Sequence, residues 1–189
     1  MWSFLVQLLA GIKALHSLNV MHRDIKTANI MMTQSGQLKL ADFNVSKVLG
    51  TDSMLRTQTG TPYYASPEVW NNEPYSIKSD MWSLGCVMYE IVTGRVPFKA
   101  NDFKSLRKKV ISCQYPPMGP LASKELQRAI FSLLTVEPNL RPDCDTLLQN
   151  PEVVSQIESM LARGDENVRR AVGSYYDISE TGRHFNSRD

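Results

Sequence analysis

Apolar residues recur at helical spacing near the start of the chain. Leu5, Leu8, Leu9, Ile12 and Leu15 predict an amphipathic helix over 2–18 that stops near Asn19. A polar, irregular segment follows from His22 to Asn29. Two short apolar runs, Ile30–Met32 and Leu38–Leu40, then flank Gln34-Ser35-Gly36, which is the signature of a β-hairpin with glycine available for a positive φ in the turn. From Asp42 to Glu68 the chain is polar, rich in Thr and Ser, and weakly periodic; a stretch of this length inside a compact domain reads as a functional loop. Residues 77–93 make the most apolar helix. Trp82, Leu84, Val87, Met88, Tyr89, Ile91 and Val92 cover most of its circumference, which predicts a buried central helix ending at Gly94. A basic helix over 102–112 and an amphipathic helix over 123–134 with Ser123 as N-cap come next. Short helices near 143–149 and 152–162 follow, the last opened by Asn150 and Pro151. From Gly164 onward the pattern is polar and aperiodic, as in a flexible tail. The expected fold class is mainly α: a helical bundle around one buried central helix, with a small β-hairpin.

Composition narrows the function. Hydrophobic residues make up 42% and charged residues 21%, as in a globular protein. Lys plus Arg is 21 and Asp plus Glu is 19, a net charge of +2, without the concentrated basic surface of a dedicated nucleic-acid binder. Cys86, Cys113 and Cys144 are far apart and odd in number, which argues against a disulfide framework or a zinc site and for a reducing compartment. The first ten residues lack a basic leader region and are interrupted by Gln7, so they read as the start of the helix and not as a signal peptide. No stretch approaches the ~20 apolar residues of a membrane span. Lys104, Arg107, Lys108 and Lys109 of the basic helix form a solvated face, with a docking surface for acidic partners as the alternative.

The chemistry sits in short polar motifs. They are His22-Arg23-Asp24-Ile25-Lys26-Thr27-Ala28-Asn29, then Asp42-Phe43-Asn44, then Gly60-Thr61-Pro62-Tyr63-Tyr64-Ala65-Ser66-Pro67-Glu68, then Asp80-Met81-Trp82-Ser83-Leu84-Gly85, then Arg141-Pro142. Singly, Asp24, Asn29 and Asp42 read equally well as turn residues. In this order the five motifs resemble the C-terminal lobe of eukaryotic protein kinases over roughly residues 2–151. The stretch from Gly60 to Glu68, followed by Ser-Asp-Met-Trp-Ser-Leu-Gly-Cys, is similar to NIMA-related kinases, a group acting in mitosis, centrosomes and cilia.

The resemblance implies roles residue by residue. Asp24 corresponds to the carboxylate that takes or orients the substrate hydroxyl proton, and Lys26 to the cation set against the ATP γ-phosphate in Ser/Thr kinases. Asn29 and Asp42 correspond to the ligands of Mg2+, which favours such hard oxygen donors. Thr61 matches the loop threonine that supports Ser/Thr specificity. His22 is implied to brace the loop. Arg23 is implied to grip a phosphorylated activation segment, in which Thr57 is the first choice among Thr51, Ser53, Thr57 and Thr59. Glu68 and Arg141 are implied to form a buried ion pair, and Asp80 to tie the catalytic loop to the central helix. The implied function is transfer of the ATP γ-phosphate to Ser/Thr hydroxyls of protein substrates, with ATP and Mg2+ required and no nucleic acid or membrane partner. The compartment is cytoplasmic, with centrosome, cilium or nucleus as finer locations.

Two departures qualify this. Asn44 replaces the glycine usual after Asp42-Phe43; Asn is among the residues least penalised at positive φ, so Asp42 keeps access to Mg2+ while the loop switches less freely. No Gly-x-Gly-x-x-Gly and no Val-Ala-x-Lys precedes His22, so the N-terminal lobe with its phosphate clamps is not in this sequence. The chain alone is then expected to bind ATP poorly, and to expose an apolar lobe interface that invites a partner. This leaves an alternative: a truncated pseudokinase acting as a non-catalytic protein-binding module. The expected organisation is a kinase C-lobe over 1–151, a C-terminal helix over 152–163 and a flexible tail over 164–189.

Overall fold

The structure, a computed structural model, describes residues 1–42, 47–48, 62–173 and 175. Helix α1 (Trp2–Ser17) buries Leu5, Val6, Leu8, Leu9 and Ile12 on the face the apolar spacing predicts. It ends where Asn19 takes φ 56°. Gln7, the polar interruption in that helix, is itself buried, and its Oε1 accepts from the Leu38 N–H at 2.9 Å. The residue that breaks the apolar run therefore ties α1 to the hairpin.

That hairpin is β2 (Ile30–Met32) paired antiparallel with β3 (Leu38–Leu40), with Ile30 opposite Leu40 and Met32 opposite Leu38. Gly36, at φ 78°, donates to the Thr33 carbonyl at 2.9 Å, so the turn glycine is needed for its left-handed backbone. Met31 and Met32 stand 64% exposed. A second antiparallel pair was not legible: β1 (Val20–Met21) joins β4 (Lys47–Val48), in register Val20 to Val48. Two-residue strands carry no alternation to detect, and β4 lies within the stretch expected to be loop throughout. The short helix α2 (Pro67–Trp70) closes that stretch, with proline in its first turn.

Helix α3 (Ile77–Thr93) is the buried axis. Ser76 caps it through a box with Ser79, and Gly94 at φ 72° ends it. Helix α5 (Lys124–Leu133) packs on it directly, α4 (Phe103–Ile111) packs on α2, and α6 (Cys144–Leu148) and α7 (Pro151–Ala162) pack on α1. Their caps are side chains: Asp102, Ser123, Asp143 and Asn150 each accept a hydrogen bond from a first-turn backbone N–H. Trp82 of α3 stacks on Phe98, ring centroids 5.5 Å apart. No described helix is long and apolar enough to cross a membrane.

The crossing of α3 and α5 depends on Gly85. A Cβ there would lie 2.9 Å from Leu133 Cβ and 3.0 Å from Leu134 Cδ2. Leu133 Cβ is fixed to its backbone, so one helix must move. Gly85→Ala is expected to destabilise the domain by about 1–3 kcal/mol, read as a lower urea midpoint with an unchanged slope.

The expectation of a flexible tail from Gly164 is corrected for its first part. Residues Glu166–Val172 form helix α8, which packs on α1 with Val168 and Val172 fully buried. Asp165 caps it, accepting from Asn167 N at 3.1 Å and Val168 N at 3.0 Å. Seven residues hold too few turns to show a period, and so short a helix is stable only through its packing. Asn167 Nδ2 also donates to the Ser35 carbonyl at 2.8 Å, holding the hairpin turn. Residues 174 and 176–189 of the expected tail lie outside the described residues.

Candidate active site

The segment from His22 to Asn29 is held by bonds at both edges. Arg23 adopts φ 70°. Buried His22 accepts from the Asp24 N–H at Nδ1 (3.4 Å) and donates from Nε2 to the Ala41 carbonyl (3.2 Å), a pattern that suits the tautomer with hydrogen on Nε2. Asn29 ends a 3₁₀ turn over Thr27–Asn29, and its Nδ2 donates to both the Asp24 carbonyl and Asp24 Oδ2, each at 2.9 Å. Lys26 Nζ donates to the same Oδ2 at 2.6 Å. One carboxylate oxygen of Asp24 is thus fixed by an amide and an ammonium.

Asp42 comes to this group through the backbone. The preceding Ala41 donates its N–H to the Asn29 carbonyl at 2.9 Å and receives the His22 imidazole on its own carbonyl. Asp42 itself has φ 62° and an exposed side chain. The Asn29 amide, with Nδ2 turned to Asp24, presents Oδ1 on its other side. That oxygen and the Asp42 carboxylate are hard donors, the chemistry that fits Mg2+.

Asp80, in the first turn of α3, anchors the loop from below. Its carboxylate is fully buried and accepts from His22 N (2.9 Å), Arg23 N (3.0 Å), the Tyr75 hydroxyl (2.6 Å) and His16 Nε2 (2.9 Å). Burial, then the Asp80 charge, raise the Tyr75 phenol well above its ordinary range, so it stays a donor. Asp80→Asn puts an N–H against donors and orphans at least one buried N–H, at about 1–3 kcal/mol each. A loss of roughly 2–4 kcal/mol in urea unfolding is expected, with faster amide exchange at His22 and Arg23.

Neither His16 nor Tyr75 was singled out in the sequence. Each lies in an ordinary helix or loop with no local mark of its role. Cys144 Sγ lies 3.9 Å from His16 Nδ1, so a cysteine, a histidine and an aspartate stand in a row. It is not a nucleophilic triad: burial pushes the Cys144 thiol far up, and its nearer sulfur neighbour is Met81 Sδ at 3.5 Å. A second group missed from sequence lies beside the loop. The Tyr64 hydroxyl donates to Glu90 Oε2 at 2.6 Å and pairs with Thr27 Oγ1 at 3.0 Å. Burial, then the Glu90 bond, push that phenol up to about 12.

Glu68 and Arg141 meet in the core as a bidentate pair, at 2.9 and 3.0 Å. Arg141 also donates to the carbonyls of Thr135 (2.9 Å), Val136 (3.1 Å) and Lys78 (2.6 Å), and lies 5.1 Å over the Trp82 ring. Ser79 Oγ donates to Glu68 Oε1 at 2.7 Å. Burial raises the Glu68 pKa, but the Arg141 hydrogen bonds and charge outweigh it and hold the carboxyl below its usual value. Phe43, Asn44, Thr51, Ser53, Thr57, Thr59 and Thr61 lie outside the described residues.

Comparison with known proteins agrees with this architecture. The protein kinase domain family matches residues 1–153. Serine/threonine-protein kinase Nek1 of Mus musculus is 40% identical over 158 residues, covering 83% of this chain and 13% of that protein. Serine/threonine-protein kinase Nek5 of Mus musculus is 42% identical over 161 residues, covering 84% and 25%. Serine/threonine-protein kinase nekl-2 of Caenorhabditis elegans is 37% identical over 158 residues, covering 83% and 44%. The chain therefore spans less than half the length of these relatives. A buried central helix bolted to an HRD-type loop, with the family match across both, places this chain in the protein kinase family, among proteins like the NIMA-related Ser/Thr kinases.

Proposed function

We propose that the protein is the catalytic half of a Ser/Thr protein kinase. The observation that carries this reading is the shared grip of Asn29 and Lys26 on one oxygen of Asp24. The Asp24 carboxylate so placed is the base toward a substrate hydroxyl. As the hydroxyl oxygen forms its bond to the γ-phosphorus of ATP, the bond from that phosphorus to the β-bridging oxygen breaks, the electron pair leaves with ADP and the proton passes to Asp24. Lys26 sets a cation beside the incoming phosphoryl group. Asn29 and Asp42 would hold Mg2+, which supplies charge neutralisation across the ATP phosphates when bound. Thr61 corresponds to the threonine that supports Ser/Thr specificity. His22, Asp80, Glu68 and Arg141 position the machinery without touching substrate. The proteins acted on are intracellular Ser/Thr substrates.

The test is phosphate transfer from γ-labelled ATP to peptides bearing Ser, Thr or Tyr. Label in Ser and Thr peptides, lost in Asp24→Asn, supports the reading. Equal labelling by Asp24→Asn, or none by the complete enzyme, overturns it and leaves the binding-module alternative. Regulation follows from Thr57: its phosphate adds about −1.5 to −2 charges for Arg23 to pair. Thr57→Ala is expected to lower the activity of the complete enzyme, measured as initial rate on the same peptides; full activity refutes the role.

A further inference from the structure

Helix α3 carries Asp80 in its first turn and Thr93 in its last, on the order of 20 Å apart along the axis. At that far end, between α3, α4 and the connection leading to α5, lies a groove of about 350 Å³. Its walls include Arg95, Lys99 and Lys109, and no Asp or Glu. None of these three cations has a carboxylate partner among the described residues. The floor is apolar, with buried Pro97 and Met118, and Leu121 stands at the edge 78% exposed.

The groove is preformed. Tyr89 at the end of α3 donates its hydroxyl to the Pro116 carbonyl at 2.8 Å, closing one wall. Lys109 Nζ donates to the Lys99 carbonyl at 2.8 Å, tying α4 to the segment that precedes it. Thr93 Oγ1 brackets Arg95, accepting from its N–H at 3.2 Å and donating to its carbonyl at 2.9 Å. Pro97, Pro116 and Pro117 have no N–H to offer, so the charged donors of the lining are the three cations.

We propose that this groove docks an extended peptide segment of a protein partner, one in which acidic residues alternate with bulky apolar ones. The charge argument selects the acids: three cations facing one space without a carboxylate repel one another until an anion enters. A space of this size admits a few side chains of an extended segment and not a folded surface. The apolar floor and Leu121 take the side chains between the acids. The site is separate from the loop that carries Asp24, and it gives the basic helix a use beyond solvation.

The test is fluorescence anisotropy of the full chain with a labelled eight-residue peptide alternating Glu or Asp with Leu or Phe. Its control replaces every acid by Lys. The acidic peptide is expected to bind, more weakly as salt rises, and the Lys peptide not to bind. The double reversal R95E/K99E is expected to weaken binding by about tenfold or more. Phosphate transfer to a peptide lacking acidic residues is expected to be unchanged in that variant. If R95E/K99E fails to fold, judged by circular dichroism, Leu121→Ser replaces it and is expected to weaken binding by about threefold or more. Binding unaffected by whichever folded variant is used, or equal binding of the Lys peptide, overturns the proposal. So does binding of phosphatidylserine vesicles or polyuridine RNA while the acidic peptide stays unbound. Binding needs no phosphoryl transfer, so an inactive chain that still binds the peptide leaves this inference standing.

Discussion

Replacing Glu68 by alanine is expected to lower stability by about 3–5 kcal/mol, a large share of the roughly 5–15 kcal/mol that holds a domain together. The guanidinium of Arg141 is fully buried, and Glu68 supplies both oxygens that neutralise it. Without Glu68 the cation stays buried and unpaired. Exchanging both residues for leucine or methionine is not expected to rescue the fold, although apolar replacement of a buried pair often does. Arg141 also donates to the carbonyls of Thr135, Val136 and Lys78, and an apolar side chain leaves those of Thr135 and Val136, which lie outside the helices, without this donor. Urea unfolding of the single and double variants decides this. A single-variant loss under about 1 kcal/mol, or a double variant as stable as the natural chain, would sink the argument. The pH dependence has a definite sign. The folded Glu68 pKa lies below its ordinary value of 4.5, so its contribution is whole above that value and is lost as pH falls through the folded pKa. Glu68→Gln is expected to flatten the acid limb of the stability curve below about pH 4.5, after its overall loss is subtracted.

Asp24→Asn is expected to reduce kcat for Ser/Thr peptide phosphorylation by about 10²–10⁴-fold, the usual worth of a positioned general base. The substitution keeps the shape of the side chain but removes the atom that takes the proton. It also removes the negative charge that Lys26 neutralises, so some loss reflects a displaced ammonium. Lys26→Ala separates the two effects. If Asp24 is the base, Asp24→Asn lowers kcat far more than Lys26→Ala does. A kcat within about threefold of the natural chain in Asp24→Asn would remove Asp24 from the chemistry.

The long helices were readable because their apolar spacing runs over several turns. Helices α1, α3 and α5 fall within two residues of the expected limits, and the caps Gly94 of α3, Ser123 of α5 and Asn150 of α7 stand where the sequence places them. Elements resting on tertiary pairing were not readable. β1 and β4 meet across 25 intervening positions with two residues each, and α8 is stable only through its packing, with Val168 and Val172 buried. The site divides similarly. Asp24, Lys26, Asn29 and Asp42 came from motif order, because they lie in compact stretches with recognisable spacing. Three of the four donors around Asp80 come from distant segments and Tyr75 from just before α3, and nothing local in Tyr75 or His16 announces them. The three carbonyls under Arg141 are set by how α3 and the turn after α5 pack, which no spacing encodes.

The seating of α8 on α1 has a consequence for how the molecule is born. The outer face of the first helix is covered by residues near position 170, so it leaves the ribosome long before its neighbour exists. At ordinary elongation rates that interval is roughly 8–30 s. Through it the nascent helix carries an uncovered apolar face, a natural foothold for a chaperone, until α8 arrives and covers it.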